Sequence, residues 1–228
     1  MIRIAPSLLS ADLAVLAEEI RKVERGGADY IHLDVMDGRF VPSITFGSVL
    51  VAAVRRCSSL PLDVHLMIEA PERYIEAFVE AGAHTLGVHR ETCPHLHRTV
   101  QQIRRLGARP SVAVNPATHL ASIEEILPYV DQVLVMTVDP GFGGQEFIPS
   151  MIDKVARLRQ MVVARRLSVE IEVDGGISPA TAPDVVAAGA TVLVAGAAVF
   201  GAPQGVEAAI RDLRAAAEAA ASKRKGQP

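Results

Sequence analysis

Short runs of β-branched and other apolar residues alternate along the chain with longer runs whose apolar residues recur every three or four positions. The short runs predict strands and the long ones amphipathic helices. Strands are expected at 4–9, 30–36, 62–68, 85–89, 110–114, 133–138, 169–173 and 192–195. A helix is expected after each: 12–26, 46–56, 71–82, 94–106, 120–127, 149–165, 180–188 and 206–221. Asp12 is placed to cap the first helix, with Leu13, Leu16, Ile20 and Val23 at helical spacing and Gly26 and Gly27 to end it. Pro71 stands where a helix opens and Gly82 where it closes.

Eight strand-then-helix units imply a parallel sheet covered by helices. In a chain of 228 residues, eight units favour closure into a single (β/α)8 TIM barrel over an open doubly wound sheet. One barrel domain is expected over 1–221. A basic polar tail at 222–228 is expected to be a frayed, solvated terminus.

Composition narrows the function classes. Half the residues are hydrophobic and the net charge is -3, which excludes a disordered chain and a basic nucleic-acid clamp. Cys57 and Cys93 form no CxxC pair, so a reducing compartment, the cytoplasm, is expected. The opening MIRIAPSLLSAD lacks a long apolar core followed by a cleavage site, so no leader is expected. Residues 185–206 carry no charge, but Gly189, Gly196, Gly201, Pro203 and Gly205 break the run. It reads as a helix end, a strand, a turn and a new helix, with no membrane span expected.

In a parallel barrel the chemistry sits at the C-terminal ends of the strands. On the second strand His32, Asp34 and Met36 share one face, opposite Ile31, Leu33 and Val35. His65 and Met67 share a face of the third strand, and Glu170, Glu172 and Asp174 a face of the seventh. The apolar sets suit the helix layer, so the polar sets face the barrel interior. Buried imidazoles and carboxylates need partners or a metal. His32, Asp34, His65 and Asp174 therefore read either as a divalent-metal site or as a buried hydrogen-bond network. Glycine-rich loops follow strand six (Gly141, Gly143, Gly144), strand seven (Gly175, Gly176) and strand eight (Gly196). Glycines on adjacent strand ends let backbone N–H groups approach an oxyanion, which points to phosphate rather than to tight turns alone. Met36, Met67 and Met136 lie near strand ends, either as core packing or as a dry cap over a reactive intermediate. Ser7 ends the first strand, in reach of a substrate hydroxyl. His89 ends the fourth and could border the pocket; His84, His95, His97 and His119 are expected at the surface.

As a set, APSLLSAD at 5–12, HLDVMDGRFVPSITFG at 32–47, DVHLMI at 63–68, NPAT at 115–118, VLVMTVDPGFGGQEFI at 133–148 and EVDGGI at 172–177 resemble the ribulose-phosphate 3-epimerases. The resemblance implies a barrel of the ribulose-phosphate-binding type. It implies a phosphorylated ketopentose as substrate, epimerised at C3 between D-ribulose 5-phosphate and D-xylulose 5-phosphate through a cis-enediolate. One divalent cation is implied on His32, Asp34, His65 and Asp174, zinc first, with iron, manganese or cobalt as alternatives. Asp34 and Asp174 would also form the acid–base pair. Substrate contacts are expected from Ser7, His65, Met36, Met67 and Met136. The phosphate grip is expected from Gly141, Gly143, Gly144, Gly175, Gly176, Gly196 and Ala197. A homo-oligomer is expected, with no nucleic-acid or membrane partner. Three positions depart from the family's usual residues: Ala197 for serine, Asp139 for asparagine and Ser43 for asparagine. The competing readings are a 3-epimerase of a hexulose 6-phosphate such as allulose 6-phosphate, a lyase or synthase on the same barrel, and a non-catalytic phosphosugar-binding barrel.

Overall fold

A computed structural model describes residues 2–225. Among the described residues there are eight strands: β1 (Arg3–Pro6), β2 (Ile31–Met36), β3 (Leu62–Met67), β4 (Ala83–His89), β5 (Arg109–Val114), β6 (Gln132–Met136), β7 (Glu170–Asp174) and β8 (Val192–Ala195). The helices are α1 (Leu16–Arg25), α2 (Ser48–Cys57), α3 (Ile75–Glu80), α4 (Leu96–Arg105), α5 (Met151–Ala164), α6 (Ala182–Ala188), the short α7 (Ala197–Phe200) and α8 (Val206–Lys225). All strand pairs are parallel, in the order β1-β8-β7-β6-β5-β4-β3-β2. This is the (β/α)8 barrel. Its seam lies between β1 and β2, where a single isolated bridge joins Ser7 to His32. Below that bridge Ile4 O accepts from the N–H groups of Asp29 and Tyr30, and Asp29 Oδ2 accepts from Ile4 N at 2.8 Å.

Local chemistry moves several boundaries. β1 stops at Pro6, short of the expected residue 9, because the Ser7 hydroxyl caps a 3₁₀ turn over Leu8–Ser10 by accepting from Leu9 N. Asp12 caps a further 3₁₀ turn, Leu13–Val15, that leads into α1. The fifth crossover, Leu120–Tyr129, is 3₁₀ throughout rather than an α-helix. Pro128 inside it has no N–H for an α-type bond. The 185–206 stretch divides into the end of α6, then β8, α7 and the start of α8. No helix among the described residues is long and apolar enough to cross a membrane. Helix α8 runs four residues beyond the expected 221, through Lys225; residues 226–228 lie outside the described residues.

The two faces of each strand have opposite fates. Ile31, Leu33 and Val35 of β2, Val64 and Leu66 of β3, and Ile171 and Val173 of β7 are buried in one continuous core against the helices. Each such side chain contributes about 1.5–3 kcal/mol on leaving water. The opposite faces line the barrel interior and are strongly polar. At its floor, where the strands begin, Glu170 pairs with Arg3 and with Arg109, both at 2.7 Å. The Tyr30 hydroxyl accepts from both arginines.

Candidate active site

The inward faces of β2, β3 and β7 bring His32, Asp34, His65 and Asp174 to the upper end of the barrel. One donor atom from each residue lies within 4.8 Å of all the others. Asp34 Oδ1 is the hub, with His65 Nδ1 at 3.0 Å and His32 Nε2 at 3.3 Å. Its other oxygen, Oδ2, accepts from the Ser7 hydroxyl at 2.6 Å. Both histidines are completely buried, so each ring is fixed by what lies behind it. His32 Nδ1 meets Asp63 Oδ2 at 2.7 Å, and His65 Nε2 meets His89 Nε2 at 2.8 Å.

The electrostatics divide the two aspartates. Burial alone would raise both. For Asp34, the charge and hydrogen bonds of His32, with those of His65, overcome burial and hold the carboxyl well below the usual range. Asp174 is raised to about 7, by burial first and then by the negative charge of Asp34. His65 is lowered to about 4, chiefly by burial. His32 is lowered by burial, but Asp34 and Asp63 on either side reverse the sign and raise it well above the ordinary value. Below this layer Glu172 is raised by burial and by Asp63, and its Oε2 takes a bond from Gln132.

Above the cluster opens a cavity of about 210 Å³. Its wall includes Ser7, Asp34, Asp174, Met36, Met67 and Met136, with Gly141, Gly143, Gly144, Gly175, Gly176, Gly196 and Ala197 around the rim. His32 and His65 are not on this wall; they stand behind Asp34. Asp139 is exposed and off the wall, so its charge does not face the cavity. Ser43 donates to Gly141 O at 2.7 Å and ties the loop after β2 to the loop after β6. Gly176 has φ +64°, and a Cβ there would fall 2.6 Å from Phe147 N, so no side chain fits. Thr137 braces the same turn by donating to Asp174 O and Gly175 O at 2.8 and 2.6 Å.

Sequence reasoning passed over several neighbours. Ser10 and Ser178 share the cavity wall. Asp63 has the same parity as His65 and Met67, which was signal enough to find it. His89 does not border the cavity; it is fully buried behind His65, against Phe40 at 4.7 Å between ring centroids. Glu91, which holds His89 Nδ1 at 3.2 Å, sits in a non-periodic turn and gave no sign.

The family model for the ribulose-phosphate 3 epimerase family matches residues 3–200. The chain is 55% identical over 202 residues to ribulose-phosphate 3-epimerase of Bacillus subtilis, covering 88% of this chain and 93% of that one. It is 53% identical over 207 residues to ribulose-phosphate 3-epimerase of Synechocystis, covering 90% of each. Among solved structures, 3-hexulose-6-phosphate synthase from Salmonella typhimurium superposes with a TM-score of 0.73 at 17% identity, over 96% of this chain and all of the other. That last likeness concerns the fold alone.

Proposed function

Because this chain belongs to the ribulose-phosphate 3-epimerase family, we propose that it interconverts D-ribulose 5-phosphate and D-xylulose 5-phosphate by exchanging the proton on C3. One observation carries the reading: Asp34 and Asp174 share a cavity wall while their environments push their proton affinities apart. Epimerisation removes a proton from one face of a carbon and returns one to the other. Asp34, ionised, takes the C3 proton and leaves a cis-enediolate. Asp174, which holds its proton up to about 7, delivers one to the opposite face. In the reverse direction the two exchange roles, and they titrate as a pair.

The donor set fits a divalent cation. Two imidazole nitrogens and a carboxylate oxygen converge at 3.0 and 3.3 Å, with Asp174 completing the group. His32, Asp34, His65 and Asp174 would hold it. Nitrogen and oxygen donors suit zinc first, then iron, manganese or cobalt. Such an ion would stabilise the charge developing on O2 and O3 and offset the repulsion between the carboxylates. Ser7 is placed to meet a substrate hydroxyl, and Met36, Met67 and Met136 give the reacting carbon an apolar wall. The glycine rim, from Gly141 to Ala197, takes the phosphate through backbone N–H groups. Two free thiols, Cys57 and Cys93, fit a reducing compartment, and we place the enzyme in the cytoplasm.

The test is turnover of ribulose 5-phosphate in deuterated water, read as deuterium at C3. Asp34→Asn and Asp174→Asn should each lower turnover by roughly 10²–10⁴-fold while substrate phosphate still binds. Near-wild-type turnover in either variant would overturn the two-aspartate mechanism. Preference for allulose 6-phosphate would overturn the pentose assignment, and release of formaldehyde or carbon dioxide would make the protein a lyase.

A further inference from the structure

A histidine that ligates a metal through one ring nitrogen commonly gives its other N–H to a carboxylate, a carbonyl or water. His32 follows that rule, with Nδ1 on Asp63. His65 does not. Its rear nitrogen, Nε2, faces a second histidine, His89, at 2.8 Å, with the rings stacked at 4.9 Å between centroids.

This arrangement has a definite proton requirement. If His65 Nδ1 is to offer an electron pair beside Asp34 Oδ1, the ring proton must sit on Nε2 and find an acceptor. Among the described residues the partner it meets is His89 Nε2, which accepts only if the His89 proton is on Nδ1. Glu91 Oε2 stands 3.2 Å from that Nδ1. Glu91 is itself pinned: its Oε1 accepts from Asn115 N at 2.9 Å and from the Thr118 hydroxyl. The turn carrying Asn115 and Thr118 is held in place by the buried Lys154. Its Nζ donates to the carbonyls of Asn115, Pro116 and Thr118 at 2.7, 3.1 and 2.6 Å.

We propose that His89 and Glu91 are positioning residues for the cation site, Glu91 fixing the ring proton of His89 and His89 that of His65. The proposal rests on the cation reading given above. The orientation of one ligand is thus set from the end of β4 and the loops after β4 and β5, by residues that do not line the cavity.

The test uses chelator-stripped protein refilled with Co²⁺. Affinity is read by competition with a chromophoric chelator, and ligand geometry by the visible Co²⁺ spectrum. His89→Phe fills the space but accepts no hydrogen bond. It should weaken Co²⁺ binding roughly 10- to 100-fold and shift the band. His89→Gln, whose amide oxygen can take the His65 Nε2–H, should recover most of the affinity. Glu91→Gln keeps the size but offers an amide donor that favours the wrong tautomer; it should lose affinity as His89→Phe does, and it serves if His89→Phe does not fold. Wild-type affinity and spectrum in His89→Phe or Glu91→Gln would overturn the proposal alone, as would a His89→Gln no better than His89→Phe. A wild-type protein that takes up no Co²⁺ would overturn the cation reading and this proposal with it.

Discussion

Strand β7 carries three carboxylates on one face, and they meet three different fates. At the floor, Glu170 lies between Arg3 and Arg109, so its charge is balanced by fixed cations. Midway, Glu172 is fully enclosed, raised by burial and by Asp63, and is bonded to Gln132. At the mouth, Asp174 is raised to about 7, by burial and by the charges of Asp34 and Asp63 against that of His32 and the Gly175 backbone; among the described residues no lysine or arginine pairs with it. Carboxylates on one face of one strand are thus ion-paired at one end and crowded by other acids at the end where we propose the chemistry. The difference lies in the counter-charges. The floor supplies two arginines that hold a carboxylate by direct ion pairs. The mouth supplies only imidazoles and another acid, which leave protons free to move.

The sharpest break of this comparison is a crossed pair of variants. Asp174→Ala should cost roughly 10²–10⁴ in turnover and leave the thermal midpoint unchanged or higher, because it removes a carboxylate crowded by Asp34. Glu170→Gln should do the reverse. It strands two arginines, costs about 1–3 kcal/mol and lowers the midpoint by several degrees, with turnover retained. Turnover assays and melting curves on both proteins check the pair; a Glu170→Gln that melts as wild type would remove the floor's structural role. A smaller effect should appear on adding cation. At about a hundred times its dissociation constant, Zn²⁺ or Co²⁺ should stabilise the wild type and Glu170→Gln by about 2.7 kcal/mol, and Asp174→Ala by far less. Equal stabilisation of all three would place the ion elsewhere. The last effect is in pH. Asp174 is raised from 3.8 to about 7, so the folded state binds the extra proton across that window. Its contribution to stability is therefore full at low pH and lost as pH rises through 7. Stripped of metal, Asp174→Asn should show a flatter midpoint-against-pH curve than wild type between pH 4 and 7; parallel curves would count against the shift.

Much of the barrel interior was legible because β2, β3 and β7 alternate so cleanly. Ile31, Leu33 and Val35 against His32, Asp34 and Met36 give both the parity and the direction of the interior. The glycines after β6, β7 and β8 mark the rim for a similar reason, since Gly176 stands where any side chain would strike Phe147. What escaped depends on contacts distant in sequence or on competition between local bonds. The Ser7 hydroxyl ends β1 early by capping a turn, and Pro128 keeps the fifth crossover 3₁₀. His89 was visible as a strand end, but its burial behind His65 depends on β3 and β4 lying side by side. Glu91 acquires its role only when Asn115 and Thr118, on the next loop, come over it.

The seam between β1 and β2 has one last consequence. Few backbone bonds cross this edge, chiefly at Ile4 and at the Ser7–His32 bridge, and a side chain adds a rivet beside that bridge, Ser7 on Asp34 Oδ2 at 2.6 Å. Both groups also face the cavity. A ligand that draws the Ser7 hydroxyl or the Asp34 oxygen to itself takes that rivet out of the wall. Occupancy therefore competes with one of the few bonds that join β1 to β2, and a ligand is gripped at the expense of part of the seam.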